Sequence, residues 1–425
     1  MDFMYGGDTL VVDLESGKTD EVEPVELEEA GPGLAAGVAL YEKYSESDPI
    51  VIGSGLLTGT TAPASCLGFV LGKSPSSGSL SVIPLNEFAG AEVKLSGFSF
   101  VVIKGKSDSP VYLWLHDGVA DVHQASELRG KDTWETTDWI RREMGEGLIQ
   151  VISIGPAGER QSPLASLGIN YWGGTDPGGL GARAGEKNLK AVAVRGLGML
   201  DAKDPQAFYD ASLGLLSKAA KFTGLSEISA RAGGDDINAW LEPMIHRYRS
   251  CFACPSACGT FLKYNEESSV VGPEGVPEPG FLMFDAGPAR ILKEGGWEAE
   301  PAARALEVMA REGTDLLRGS RLLSGTPLTM SASIIDAVRH IEGEADGTWP
   351  YEETFATGVF GAWPPPLVAA DEWSRATALG YVLGICPIFI MTSGIAADEL
   401  LALCGPAAGL ELLPAEIEGM LPELS

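Results

Sequence analysis

Cys251, Cys254 and Cys258 stand in the run Cys251-Phe252-Ala253-Cys254-Pro255-Ser256-Ala257-Cys258, spaced C-x-x-C-x-x-x-C. Half of the chain's 6 cysteines fall in this one short run. Ionised thiolates at such spacing repel one another, and free thiols there oxidise readily. A bound metal centre removes both problems by neutralising charge and fixing the sulfurs. Three ligands from one loop and a fourth from elsewhere is a pattern of [4Fe-4S] sites. Zinc is the competing occupant, although its ligands more often come as two separated C-x-x-C pairs. A structural or redox role without metal is the third reading.

The elements that must hold such a loop belong to a chain of 425 residues, long for one hydrophobic core, so two or more domains are expected. Hydrophobic residues at 45% and charged residues at 21% describe a globular protein. The 54 glycines and 27 prolines imply many tight turns. A net charge of −29 argues against nucleic acid, whose phosphates would be repelled. It also makes an acidic electron carrier an awkward partner without a local basic patch. Met1-Asp2-Phe3-Met4-Tyr5 has neither a basic region nor an apolar run of a secretory signal. The longest apolar stretch, near Leu379–Ile390, is interrupted by Gly384 and Pro387 and is too short to span a membrane. Six cysteines in a chain of this size do not suggest a disulfide framework, and a cytoplasmic, reducing location suits iron and sulfur.

The fold class expected is α+β, a β-rich N-terminal domain over residues 1–200 and a mostly helical region over 201–425. Thr9–Val22 reads as a hairpin, with Glu15-Ser16-Gly17-Lys18 as its turn. Pro49–Gly53, Gly68–Gly72, Ser79–Ile83, Ile149–Ile154 and Leu189–Val194 read as further strands. Phe98–Gly105 and Val111–Gly118 are expected to pair with each other across a polar turn. Lys131–Met144 carries helical periodicity, with Trp134, Ile140 and Met144 on its buried side. After residue 200 the patterns at 204–221, 301–311, 371–383 and 396–404 are helical, and Leu189–Val194 is the last clear strand.

With these features in order, the chain resembles the aldehyde ferredoxin oxidoreductase family of tungsten enzymes. The segments that carry the resemblance are Leu57-Thr58-Gly59-Thr60, Gly72-Lys73-Ser74-Pro75, Glu92-Val93-Lys94, Val111-Tyr112-Leu113-Trp114 and Arg129-Gly130-Lys131-Asp132-Thr133-Trp134-Glu135-Thr136. Ile154-Gly155-Pro156-Ala157-Gly158-Glu159, Gly178-Gly179-Leu180-Gly181-Ala182 and Gly185-Glu186-Lys187-Asn188-Leu189-Lys190 continue it, followed by the cysteine loop. The resemblance implies a β-rich base domain and helical domains, with a tungstopterin (or molybdopterin) between them and one [4Fe-4S] cluster beside it. It implies Cys386, at the end of Tyr381-Val382-Leu383-Gly384-Ile385-Cys386, as fourth cluster ligand, with Cys404 and Cys66 as alternatives.

The chain departs from the family at positions that serve the pterin. Tyr381 and Ala310 stand in place of the aspartates that would accept pterin N–H groups, Leu67 and Pro177 in place of arginines, and Pro84 and Glu87 in a turn that would face phosphate. Pro84 lacks an N–H, and Glu87 adds repulsion where attraction is needed. Gly178, Gly179 and Gly181 with Lys187 resemble what is left of the pterin cradle, since backbone N–H groups can hold phosphate. Glu274 matches a glutamate that would act as general base on an aldehyde; in a chain of 59 acidic residues, a solvated surface role is its competing reading. His116, His123, His246 and His340 show no metal-ligand spacing. Three functions follow: an iron–sulfur electron-transfer subunit of a larger oxidoreductase complex, an active tungstopterin enzyme oxidising aldehydes, or a non-redox structural subunit. A redox partner protein and a homo-oligomer are both compatible with the sequence.

Overall fold

A computed structural model describes residues 4, 9–22, 30–171, 173–174, 176, 178–219, 235–263, 281–283, 286–325, 333–345 and 370–420. Its N-terminal part is built on two sheets. The first takes β1 (Thr9–Asp13), β2 (Lys18–Val22), β3 (Ile50–Ser54), β4 (Gly68–Lys73), β5 (Leu80–Leu85) and β6 (Phe100–Lys104) in the order β2-β1-β6-β3-β4-β5. The second takes β7 (Val111–His116), β8 (Val119–Gln124), β9 (Gln150–Ile154), β10 (Leu167–Ile169) and β11 (Leu189–Arg195) in the order β10-β9-β11-β7-β8.

The hairpin of β1 and β2 forms as expected, with Val11 opposite Asp20. The expected pairing of Phe98–Gly105 with Val111–Gly118 does not form. β6 runs parallel to β1 and antiparallel to β3, while β7 runs parallel to β11 and antiparallel to β8. The cause is burial. Both segments are apolar along most of their length, and a strand buried on both faces takes a neighbour on each side. The six residues between them therefore cross from one sheet to the other instead of turning back.

The segments that carried the resemblance are tied to one another. Lys190 is buried and donates to the Lys131 carbonyl at 2.7 Å and to Glu159 at 2.6 Å, while Gly130 N–H donates to Glu159 at 2.8 Å. Glu92 accepts from Arg195 at 2.9 Å and from Gly196 N–H at 2.7 Å. Asp132 and Glu135 close a capping box at the start of helix Thr133–Met144, worth about 1 kcal/mol.

Beyond residue 200 the described chain is mostly helical, as expected, with helices Pro205–Ala219, Gly287–Glu294, Ala299–Glu312, Leu316–Ser324, Ile334–Glu344 and Ala370–Leu383 the longest. A small third sheet is the exception: β12 (Ile245–Arg249), β13 (Gly259–Leu262) and β14 (Phe281–Met283), in that order. Helix Ala299–Glu312 docks on the base: Thr133 Oγ1 donates to the Ala310 carbonyl at 3.1 Å, and Arg311 to Asp132 at 2.7 Å. One apolar core runs through this contact, joining Trp134, Ile152 and Ile154 to Leu306, Met309 and Ala310. Among the described residues, no helix is long and apolar enough to cross a membrane.

Candidate metal centre

The cysteine run is the turn of the β12–β13 hairpin, where Arg249 pairs with Gly259. The N-terminal part of the chain grips this turn. Phe252 N–H donates to the Glu87 carbonyl at 2.8 Å, and the Ala253 carbonyl accepts from Ala64 N–H at 2.8 Å. Ala253 is held at φ 49, a left-handed conformation costing an alanine ~1–2 kcal/mol. The grip offsets that cost.

The second cysteine segment comes from the far end of the chain. Helix Ala370–Leu383 stops at Gly384, whose φ of 82 reverses the backbone toward Cys386. A Cβ on Gly384 would lie 2.0 Å from Thr58 Oγ1, and one on Gly55 would lie 2.0 Å from Gly384 N. Without side chains at both positions the two backbones can touch. Leu56 and Leu57 N–H donate to the Val382 and Leu383 carbonyls at 3.0 and 2.7 Å, and Leu67 N–H donates to the Gly384 carbonyl at 3.0 Å. Cys386 N–H donates to the Ala64 carbonyl at 3.1 Å. One base loop, residues 55–67, thus holds both cysteine segments. Lys94 braces it from beneath, donating to the carbonyls of Gly55 at 3.0 Å and Leu56 at 2.5 Å.

Five sulfurs gather at this junction. Cys66 neighbours Cys251 and Cys386, while Cys254 and Cys258 lie within the fields of Cys251 and Cys386. Burial, and then the neighbouring sulfur charges, push the Cys254 and Cys258 thiols up. Cys386 moves the opposite way. A hydrogen bond from Cys66 and the amides of Phe389 and Ile388 hold it below the usual thiol value against the effect of burial. Those amides open helix Pro387–Thr392, for which Cys386 is the N-cap, a setting that favours thiolate. Cys66 and Cys251 are buried, Cys254, Cys258 and Cys386 are half-buried, and Ala253 and Pro255 at the tip of the turn are exposed. All six thiols are free of disulfides. Cys404 stands apart in the apolar core with Leu400, Leu403 and Ala407, its thiol pushed up to about 12 by burial. Among the described residues, no group of three or more His, Cys, Asp or Glu side chains is arranged to hold one metal ion.

The glycine loop has structural partners of its own. A Cβ on Gly178 would strike Ser81, and one on Gly181 would strike the Ser166 backbone. The N–H groups of Leu180 and Gly181 donate to the buried Asp176 carboxylate at 3.0 and 2.9 Å. Asp176 N–H donates in turn to Asp315 at 2.6 Å, and Arg318 donates to the Asp176 carbonyl at 3.0 Å. Burial pushes the Asp176 carboxyl up to about 6. Gly179, at φ 68, caps helix Leu180–Glu186, and Lys187 closes its other end with its ammonium on the Gly105 carbonyl at 3.3 Å.

The departures from the family pattern are built into the core. Tyr381 packs edge-on against Phe69, with ring centroids 6.4 Å apart. Leu67 is buried, Pro84 pairs with Phe69 in the first sheet, and Ala310 lies against Gly173. Glu87 is buried at φ 58, and its Oε1 has no hydrogen-bond partner. The Arg249 guanidinium stands 4.0 Å away. Burial pushes this carboxyl up to about 8, against the pull of Arg249 and Arg141. Glu274 and Pro177 lie outside the described residues. His116 and His123 stack on Trp114 and Tyr112 in the β7–β8 hairpin, and His340 is exposed.

In the sequence, Cys66 is an alternative ligand and Asp176 has no assigned role. Nothing local marks Cys66, whose partners lie 185 or more positions away. Asp176 had a signal, an aspartate four and five residues ahead of the Leu180 and Gly181 amides that open a helix.

Residues 9–196 match the family described as "Aldehyde ferredoxin oxidoreductase, N-terminal domain". The chain is 30% identical over 314 residues to the tungsten-containing aldehyde ferredoxin oxidoreductase of Pyrococcus abyssi (strain GE5 / Orsay), covering 64% of this chain and 51% of that protein. It is also 30% identical over 223 residues to the "Aliphatic sulfonate oxidoreductase, WOR-like subunit" of Pyrococcus furiosus, covering 47% of this chain and 35% of that one. In fold it is similar to the active site complex BamBC of benzoyl coenzyme A reductase, with a TM-score of 0.63 at 19% identity, covering 94% of this chain and 65% of that chain. The chain spans about half the length of the curated relatives it matches.

Proposed function

The chain belongs to the aldehyde ferredoxin oxidoreductase family through its N-terminal domain, residues 9–196, and from that premise we propose that it is an iron–sulfur electron-transfer subunit of a larger oxidoreductase complex. In this reading it binds one [4Fe-4S] cluster through Cys251, Cys254, Cys258 and Cys386 and has given up the tungstopterin site. The observation that carries it is the meeting of these four cysteines from segments some 130 residues apart, both held by residues 55–67. Thiolates brought this near one another repel, and iron would supply the compensating positive charge.

The cluster, when bound, stores and releases single electrons. The residues around it have separate tasks. The Cys386 thiol is held below its usual value, so this sulfur takes negative charge most readily. The base loop keeps the four sulfurs fixed whether or not charge changes. The exposed tip at Ala253 and Pro255 leaves the half-buried Cys254 near the surface, where a redox partner could approach. The likeness to a protein named as a WOR-like subunit suits a chain that works beside another.

Loss of the pterin is supported by what fills its expected contacts. The Asp176 carboxylate already accepts from the amides of the glycine loop, and an anion there repels phosphate. Lys187 is turned to Gly105. Glu87, Tyr381, Leu67 and Ala310 are engaged in the core. Glu274 would serve as general base only beside a bound tungstopterin, and its role falls away with that group.

Anaerobically purified protein is therefore expected to be reduced by dithionite and reoxidised by an electron-accepting dye, yet to give no dye reduction when supplied with aldehydes. Aldehyde-driven dye reduction by the chain alone would overturn the proposal in favour of an active tungstopterin enzyme.

A further inference from the structure

The stretch that follows β11 turns its apolar side chains outward. Gly196 and Gly198 lie against the backbone of Leu95, where added Cβ atoms would stand 2.1 and 2.7 Å from it. In an extended run, alternate positions face opposite sides, so Leu197 and Met199 face solvent. They are 72% and 91% exposed. The backbone that carries them is anchored. Gly196 N–H donates to Glu92 at 2.7 Å, Leu197 N–H to Asp117 at 3.1 Å and Gly198 N–H to the Leu95 carbonyl at 2.9 Å. Past them, the Asp201 carbonyl accepts from Met4 N–H at 2.9 Å.

Val119 and Leu148 join them. β7 runs parallel to β11, while β8 and β9 run antiparallel to these two neighbours. The end of the second sheet where β11 finishes is therefore where β8 starts, at Val119, and where β9 starts, just after Leu148. Val119 and Leu148 are 47% and 52% exposed. Asp117 and Asp121 flank Val119, Glu146 precedes Leu148, and Asp201 follows Met199. Arg195, at the same end, is paired with Glu92 at 2.9 Å. Single apolar residues on a surface need no explanation, but a group of them rimmed by charge marks a contact site.

We propose that this end of the second sheet is the docking face for a different polypeptide, one that offers an apolar centre ringed by lysine and arginine. The inference rests on the reading of the chain as one subunit of a larger complex, and not on the cluster. A second copy is the wrong occupant. An isologous contact sets a patch against itself, so Asp117, Asp121, Glu146 and Asp201 would meet like charges, which repel. A chain with 30 basic and 59 acidic residues has little basic surface to set against them. A partner with a basic rim matches both the apolar centre and the charge around it. Because the backbone under Leu197 and Met199 is already fixed, contact orders little that was free.

The test places a photo-crosslinking residue on the face, Met199→p-benzoylphenylalanine, in the cells that make the protein. Glu42→p-benzoylphenylalanine, exposed on helix Leu34–Lys43, is the control. Irradiation is expected to join the Met199 variant, and not the control, to one polypeptide whose crosslinked peptide, read by mass spectrometry, is rich in lysine and arginine. With that polypeptide purified, Leu197→Ser/Met199→Ser is expected to weaken binding roughly a hundredfold, from two apolar side chains no longer buried. Added salt is expected to weaken it further. A crosslink to a second copy of this chain, to an acidic peptide, to lipid or to nothing beyond the control would overturn the inference, and so would unchanged binding by the double variant. Gel filtration of unfractionated extract separates this failure from failure of the subunit reading. A parent chain migrating at its own mass would remove both. One migrating in a larger assembly, without the Met199 crosslink, would remove the face and leave the subunit reading.

Discussion

Cys386→Ala is expected to lose most of its iron while the chain stays folded, and Cys404→Ala is expected to keep the parent content. The contrast follows from position. Cys386 shares the junction with Cys66, Cys254 and Cys258, and its thiol is held below the usual value. Cys404 lies in the core beside Leu400 and Leu403. Folding should survive the first change because the Cys386 backbone keeps its bonds to Ala64 and to Ile390, so the substitution removes a sulfur and little else. Iron determination and circular dichroism on both variants read the two parts separately. Iron near the parent level in Cys386→Ala would move the fourth ligand to Cys66.

The second large effect concerns Glu87. Its carboxyl ionises near pH 8 in the folded chain against an ordinary value of 4.5. Below pH 4.5 both folded and unfolded chains are neutral at this group. Between 4.5 and 8 the unfolded chain ionises first, so rising pH favours unfolding, and the full penalty is present above 8. Each unit of separation is worth ~1.4 kcal/mol. Glu87→Gln keeps the shape and removes the ionisation. The variant is therefore expected to be more stable than the parent by a few kcal/mol at pH 8, the order this separation implies, with the difference shrinking toward pH 4.5. Denaturant unfolding of both proteins across that range measures it. A difference that does not depend on pH would show that burial is not what raises this carboxyl.

The base domain was largely legible. Short apolar runs bounded by glycine, proline and serine marked β3, β4, β5, β9 and β11, and a strand and turn pattern marked the first hairpin. The partnering of strands was not legible. β6 and β7 are neighbours in sequence and lie in different sheets, because pairing depends on distant segments that bury their faces. The third sheet escaped notice for a related reason. β12 reads Ile-His-Arg-Tyr-Arg, with no apolar alternation, and it becomes a strand by pairing with β13. That hairpin is what presents Cys251, Cys254 and Cys258.

At the site, the cysteine spacing could be read directly because three cysteines in one turn are a local pattern. Cys386 was expected through the resemblance, and the structure brings it to the same junction. That Cys66 joins this junction could not be read, since it arises from contacts between segments far apart in the chain. The carboxylate of Asp176 at the glycine loop is a similar case. Those glycines suggest an anion from outside, and the anion is already part of the chain.

The measurement that bears most directly on the whole account is metal content per chain in protein purified without oxygen. About four iron and no tungsten or molybdenum are expected, as for a single [4Fe-4S] cluster. Tungsten or molybdenum near one per chain would contradict the loss of the pterin site, and absence of iron would contradict the cluster on which everything else rests.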